Sequence, residues 1–272
     1  MPFTLAHPAA AIPLRRCLGR AGVLPALIIG SMTPDLGYFV PFGVSRAFTH
    51  SLAGLLWFCL PVGFLTYHLF NILVRPVVYF LAPPCWRDRL PPLPNQSSRS
   101  DSPAWAVLIS IGLGAFTHLF WDAWTHGNGF FVVRLPILQA HLGNIGGYQV
   151  YLYRVLQHGS TLLGFLCMAH WARKYRKSAT VRRETTYSPW AERLRVPVLL
   201  GLFGVSAVIG MASGLAHGER GSGIHALQLF LGYGVVRAMS ICGAGLILLG
   251  ALLRIGENRW LATRETSTRI PP

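Results

Sequence analysis

Acidic side chains are scarce in this chain. Nine Asp and Glu stand against 24 Lys and Arg in 272 residues, and only 12% of residues are charged. Soluble domains carry about 25%. The deficit excludes an ordinary water-soluble surface. With 52% hydrophobic residues and a mean hydropathy of +0.45, it points to an integral membrane protein. The formal charge of +15 does not point to nucleic acid. The cations lie in a few polar stretches between apolar runs, which is the pattern of the positive-inside rule.

Other absences narrow the chemistry. The five cysteines, Cys17, Cys59, Cys85, Cys167 and Cys242, form no CxxC pair, so a thiolate zinc cluster is excluded. Three of them fall within apolar runs and read as small core residues. There is no P-loop, no dinucleotide fingerprint, no HExxH and no GxSxG, so nucleotide binding and serine hydrolysis have no support. The opening Met1 to His7 lacks a charged n-region followed by an apolar h-region. No cleavable signal peptide is expected, and the segment should stay in the mature protein.

What the chain has in abundance is long apolar segments. Five read as spanning helices, Ser51 to Val74 (ended by Arg75-Pro76), Pro103 to about Trp124, Leu156 to Ala172, Val196 to His217 and Ile224 to Leu253, each near the length that crosses a bilayer. The third is short and needs tilt or snorkelling ends. Gly201, Gly204, Ser206, Ala207 and Gly210 suit close helix packing in lipid. The expected fold is all-α, a polytopic membrane bundle of about five spans forming a single domain over 1–272. Residues 1–49 read as short helices that cap a polar site on the bundle of residues 50–256. Residues 83–103 are a Pro/Ser-rich loose loop, and 257–272 a tail.

The stretch 173–195 holds eight Arg and Lys against Glu184 and Glu192 and is placed in the cytoplasm. The loop 83–103 and the tail then share that side. The opposite side receives 1–50, 125–155 and 218–223, with seven Arg and no Lys. That side also receives His7, Asp35, His50, His118, Asp122, His126, His141, His158, His217 and His225. Only His68 and His170 fall toward the cytoplasm.

The densest chemistry is His118-x3-Asp122-x3-His126. On a helix, steps of four rotate by about 40°, so the three share one face. An Asp in an apolar segment costs about 2.5–3.5 kcal/mol on insertion scales and reads as functional. Imidazole beside carboxylate suits zinc, and can also hold manganese or iron. The assigned ligands are His7, Asp35, His50, His118 and Asp122, with His126 and His158 as further candidates. Asp122 has two oxygens and could bridge two ions. Blander alternatives stay open: a packed His118, His50 in a helix-start turn, Asp35 after Pro34 as a turn residue, His126 as a polar helix end and His158 as an interfacial residue. Ala47-Phe48-Thr49-His50 echoes Ala115-Phe116-Thr117-His118, so two Thr-His steps could face one site.

Four strings carry a resemblance: Pro2-Phe3-Thr4-Leu5-Ala6-His7-Pro8-Ala9-Ala10, Gly30-Ser31-Met32-Thr33-Pro34-Asp35-Leu36-Gly37-Tyr38-Phe39, Thr49-His50-Ser51, and His118-x2-Trp121-Asp122-x2-Thr125-His126. Together they resemble a bacterial integral membrane family known only as a domain of unknown function (4184). That family is itself similar to inner-membrane proteins described as membrane-bound metal-dependent hydrolases. The order of candidate ligands is also similar, at greater distance, to zinc-dependent phospholipase C and the single-strand nucleases, all-helical enzymes holding three zinc ions. That likeness implies one ion on Asp35, His50, His118 and Asp122, a second on His7 with Asp122 bridging, and a third begun by His126 and His158. The chain departs from it at Leu162, where those enzymes carry a carboxylate.

The expected function is a metal-dependent hydrolase, with Asp35 and Asp122 at its catalytic centre, acting on a phosphoester of a lipid or lipid-linked substrate. Its cofactor would be a divalent metal, zinc in two copies. Its partner would be membrane lipid, with neither nucleic acid nor nucleotide. It would sit in the bacterial cytoplasmic membrane with the site on the non-cytoplasmic side. Two other readings remain open: a non-catalytic membrane protein with a structural or sensing metal site, and an ion- or proton-coupled transporter.

Overall fold

A computed structural model describes residues 3–40, 43–91, 102–181 and 189–267, with side chains to Ile255. The architecture is all-α, apart from one hairpin. The N-terminal segment forms short turns and helices, of which α1 (Leu24–Gly30) is the longest. Four helices are long and apolar enough to cross a membrane: α2 (Leu52–Leu81), α3 (Ala104–Thr125), α5 (Pro189–Gly218, its apolar part Trp190–Gly218) and α6 (Gly223–Ser267, its apolar part Gly223–Ile255). The molecule is an integral membrane protein on this ground. Between α3 and α5 lies α4 (Leu152–Ser178). It contains the expected third span, Leu156 to Ala172, but Gln157, His158, His170 and Arg173 dilute its apolar run, and it is not among the four.

Helix α2 does not stop at Arg75-Pro76. It continues to Leu81, because each internal proline follows a π-type turn. Leu55–Cys59 precedes Pro61, and Phe70–Val74 precedes Pro76. A wider turn lets the helix pass the proline ring, which would clash in a regular helix. Pro76 still leaves the carbonyl of Ile72 without its helical donor, and Arg254 of α6 supplies one from Nε at 3.1 Å.

Residues 83–91, expected as part of a loose loop, are ordered instead. Pro84–Arg87 makes one helical turn. The buried Arg87 donates to the carbonyls of Tyr79, Phe80 and Ala82 and pairs with Glu192 of α5. The rest of that loop, 92–101, and residues 182–188 and 268–272 of the basic stretch and tail lie outside the described residues. A further departure is the antiparallel pair β1 (His141–Ile145) and β2 (Tyr148–Tyr151), in which Ile145 pairs with Tyr148. Its turn is Gly146-Gly147, both at positive φ (54° and 82°), the conformation a two-residue hairpin requires.

The core lies where α1, α2 and α3 meet, with Val23, Ala26, Tyr67, Ala106, Val107 and Ile111 buried together. Contact between α1 and α3 is backbone to backbone. A Cβ on Gly30 would lie 2.3 Å from the carbonyl oxygen of Ile111, and one on Gly114 would lie 2.3 Å from that of Leu27. Helices α5 and α6 form a hairpin, in close approach where Gly210 meets Gly234 and Ala238 and where Gly214 meets Phe230. Gly201 and Gly204 face open space, not a helix neighbour.

Candidate metal centre

Each candidate ligand is delivered by a different local device. His7 joins the turn Thr4–Ala6 to the short helix Pro8–Ala11. This segment is held by α4, where Thr161 Oγ1 accepts from the Phe3 N–H at 3.3 Å and Gly164 leaves room for Ala6. Asp35 closes the turn Thr33–Asp35 just beyond α1. His50 ends the turn Arg46–Thr49, before α2 begins. His118 and Asp122 stand one turn apart on α3, and His126 caps its C-terminus.

These six converge. Asp122 is the centre. Its Oδ1 lies 3.7 Å from His7 Nε2 and 3.4 Å from His126 Nδ1, and its Oδ2 lies 3.6 Å from the Nε2 of both His50 and His118. Asp35 Oδ1 lies 3.3 Å from His50 Nε2 and 3.7 Å from His118 Nε2. Asp35, His118 and His7 are buried to about 1% exposure or less. The His7 and His118 rings stack with centroids 3.7 Å apart, and the His50 ring meets His118 edge-on at 5.3 Å. Two triads bring all their donor atoms within 4.8 Å of one another: His7, Asp35 and His118, and His50, His118 and Asp122.

The separations discriminate between two accounts of this cluster. Imidazole–carboxylate hydrogen bonds would put N and O about 2.7–3.2 Å apart. Ligands of a tetrahedral zinc, each about 2.1 Å from the ion, lie about 3.4 Å from one another. Every imidazole–carboxylate distance here falls between 3.3 and 3.7 Å. Meanwhile His7 Nδ1 and Nε2, Asp35 Oδ1, His50 Nε2, His118 Nε2, Asp122 Oδ1 and His126 Nε2 are buried with no hydrogen-bond partner. So many orphaned polar atoms in one place would be costly unless a cation could satisfy them. The donor set fits a divalent ion.

The second ring nitrogens of His118 and His50 are spoken for. His118 Nδ1 donates to the Ser31 carbonyl at 2.8 Å, and His50 Nδ1 lies 3.2 Å from the Arg46 carbonyl. A carbonyl can only accept, so each Nδ1 carries the proton and each Nε2 keeps its lone pair for the site. Asp35 Oδ2 accepts from the Thr4 hydroxyl at 2.6 Å. Burial lowers the pKa of His7 to about 3. Burial likewise lowers that of His126 to about 4, so both rings are neutral near pH 7. Burial opposes ionisation of Asp35, but the facing imidazoles of His50 and His118 and the hydrogen bond from Thr4 outweigh it and hold its pKa below the ordinary carboxylate value.

His158 stands apart. It is exposed on α4 and belongs to neither triad. What α4 brings near the site is Ser160, which accepts from the Trp121 indole at 2.9 Å, with the His7 ring edge-on to that indole. The two Thr-His steps do bring both imidazoles to the cluster, and their threonines act alike, each hydroxyl donating to the carbonyl three residues back. Thr49 bonds the Arg46 carbonyl, Thr117 that of Gly114.

Sequence reasoning missed Thr4, the Ser31 carbonyl and Arg46. Nothing in the sequence signals the first two. Arg46 had been counted only as a topological charge, yet its NH2 lies 3.0 Å from Asp122 Oδ2. Its position four residues before His50 puts both on one helical face, which was the available signal. The Tyr38 phenol also faces Arg46. Beside the cluster a cavity of about 580 Å³ opens, lined by Arg46, His50, Asp122, His126, Asn128 and Phe130 among others.

The chain belongs to the family described as "Domain of unknown function (DUF4184)", whose model matches residues 1–251. No curated protein and no solved structure matches it.

Proposed function

We propose that this protein is a membrane-embedded, metal-dependent hydrolase acting on a phosphoester of a lipid or lipid-linked substrate. The observation that carries the reading is the set of imidazole–carboxylate separations of 3.3–3.7 Å among buried, otherwise unpartnered donor atoms, beside an open cavity. Asp35, His50, His118 and Asp122 would hold one zinc ion, and His7 with Asp122 a second. A third ion on His126 and His158 forms no part of the proposal, since His158 is exposed and position 162 is leucine. When bound, such ions polarise water and neutralise charge building on a phosphoryl group. The chain's own residues do the rest. Thr4, Ser31 and the Arg46 carbonyl fix the ligand orientations, and the apolar wall of Val107, Ile111 and Ala115 keeps water from the inner side. We place the protein in the bacterial cytoplasmic membrane with this site on the non-cytoplasmic side, from the distribution of Lys and Arg.

A structural or sensing metal site is the second reading. A closed site needs no adjoining space, and the cavity against Asp122 weighs against it. A transporter would need polar groups continuing past the cluster, where the described core is apolar. The test is metal content by elemental analysis of wild type and Asp122→Ala, with phospholipid hydrolysis measured on both. Zinc and hydrolysis in wild type, both lost in the variant, are expected. Wild-type protein purified without any divalent metal would remove the proposal. Metal without hydrolysis of any phosphoester would leave the second reading.

A further inference from the structure

The cavity beside Asp122 has a cation on its wall. Arg46 NH2 is 3.0 Å from Asp122 Oδ2, the same oxygen that faces the Nε2 atoms of His50 and His118 at 3.6 Å. A divalent ion held by that triad would draw on the oxygen that Arg46 now uses. The guanidinium would repel the ion at this range, and the ion would weaken the hold of Asp122 on the guanidinium. Arg46 is free to respond. Its side chain is about one-third exposed, and its Nε has no hydrogen-bond partner. Charge points the same way. Arg46 is the cation set against the same two carboxylates, Asp35 and Asp122, on which the ions would draw. Divalent ions would add positive charge there and leave Arg46 surplus in a partly enclosed cavity.

We infer that this cavity is an oxyanion subsite anchored by Arg46, whose guanidinium passes from Asp122 to a phosphate-type ligand once divalent ions occupy the cluster. The inference rests on the metal-dependent reading above. It adds the residue that recognises the phosphate group and the condition, an occupied cluster, under which it does so. Arginine suits this role, because its planar fork matches phosphate oxygens two at a time. Asn128 and His126 line the same cavity and offer further polar contacts. The anion could belong to free phosphate or to a lipid headgroup, and the two are separable by experiment.

The test uses full-length protein in detergent, zinc-loaded or stripped with chelator, as wild type, Arg46→Gln and Arg46→Lys. Zinc affinity is measured by competition with a chelating dye, and inorganic phosphate binding by calorimetry. Zinc-loaded wild type is expected to bind phosphate and the stripped form not to. Arg46→Gln should weaken phosphate binding by about tenfold or more while holding zinc at least as tightly as wild type, since a competing cation has gone. Arg46→Lys should fall between them. A parallel titration with micelles doped with short-chain phosphatidate identifies the source. Binding much tighter than inorganic phosphate assigns a lipid headgroup, and equal binding assigns free phosphate. Neither ligand binding the zinc-loaded protein would overturn the inference. So would unchanged phosphate affinity in Arg46→Gln, or zinc affinity falling along with it, which would mark Arg46 as a structural partner of Asp122. Each of these three outcomes would leave the metal-dependent reading standing. Absence of zinc binding by wild type would overturn both.

Discussion

His118 and Ser31 are joined by a hydrogen bond of 2.8 Å from the ring Nδ1 to the backbone carbonyl. The bond sets the tautomer of a candidate ligand from a segment that contributes no ligand of its own. Its length depends on how closely α1 lies against α3. That spacing is decided by Gly30 and Gly114, each of which admits the backbone of the opposite helix.

Gly114→Ala should therefore disturb the site without touching a ligand. The new methyl would meet the Leu27 carbonyl at 2.3 Å, which backbone atoms cannot relieve by changing rotamer. Overpacking of this kind costs about 1–3 kcal/mol. The expected outcome is a lower melting temperature in detergent together with a reduced zinc content. Loss of stability with full zinc content would show that the Ser31 carbonyl is not what orients His118.

Stability of the metal-free protein should fall as pH drops below neutrality. His7 titrates near 3 when folded and near 6.5 when unfolded, so between those values the unfolded chain binds more protons. The native state then loses about 1.4 kcal/mol per pH unit from this group, or about 2 kcal/mol at pH 5 relative to pH 7. His126, titrating near 4 when folded, acts in the same direction. Asp35, depressed when folded, keeps its contribution above its unfolded value near 3.8 and loses it only at lower pH. Thermal melts of chelator-treated protein at pH 5 and 7 should show this slope, and His7→Gln should flatten it. A wild-type melt independent of pH over this range would contradict the buried neutral state of His7.

His158→Gln should change little. The side chain is exposed on α4 and outside both triads, and such surface changes usually stay within about 0.5 kcal/mol. Unaltered zinc stoichiometry is expected. Loss of one equivalent of zinc would restore a third ion to the site.

Much of the candidate site was legible because two of its members obey a local rule. His118 and Asp122, four residues apart in an apolar run, had to share a helical face, and an Asp there needed a reason. His126 reaches Asp122 for a different cause than the one the spacing suggests, since it lies past the helix end and uses the cap. His158 was a candidate only through its place near a helix start and the ligand order of the distant resemblance, and α4 turns it outward. Arg46 looked like one cation among many, because a sequence does not say which carboxylate a cation will meet 76 residues away. The passage of α2 through Pro76 was also hidden, since it relies on a π-type turn and on a donor from Arg254.

Hydropathy and period alone determined that this chain is a membrane bundle of helices and that His118 and Asp122 share one helical face. Both follow from interactions within one segment and its solvent. Which distant groups close around Asp122, which ring nitrogen each histidine turns to it, and whether a cation on the far wall is partner or rival depended on contacts across tens of residues. Those contacts exist only once the backbones of α1 and α3 have met at two glycines, so only the packed structure could decide them.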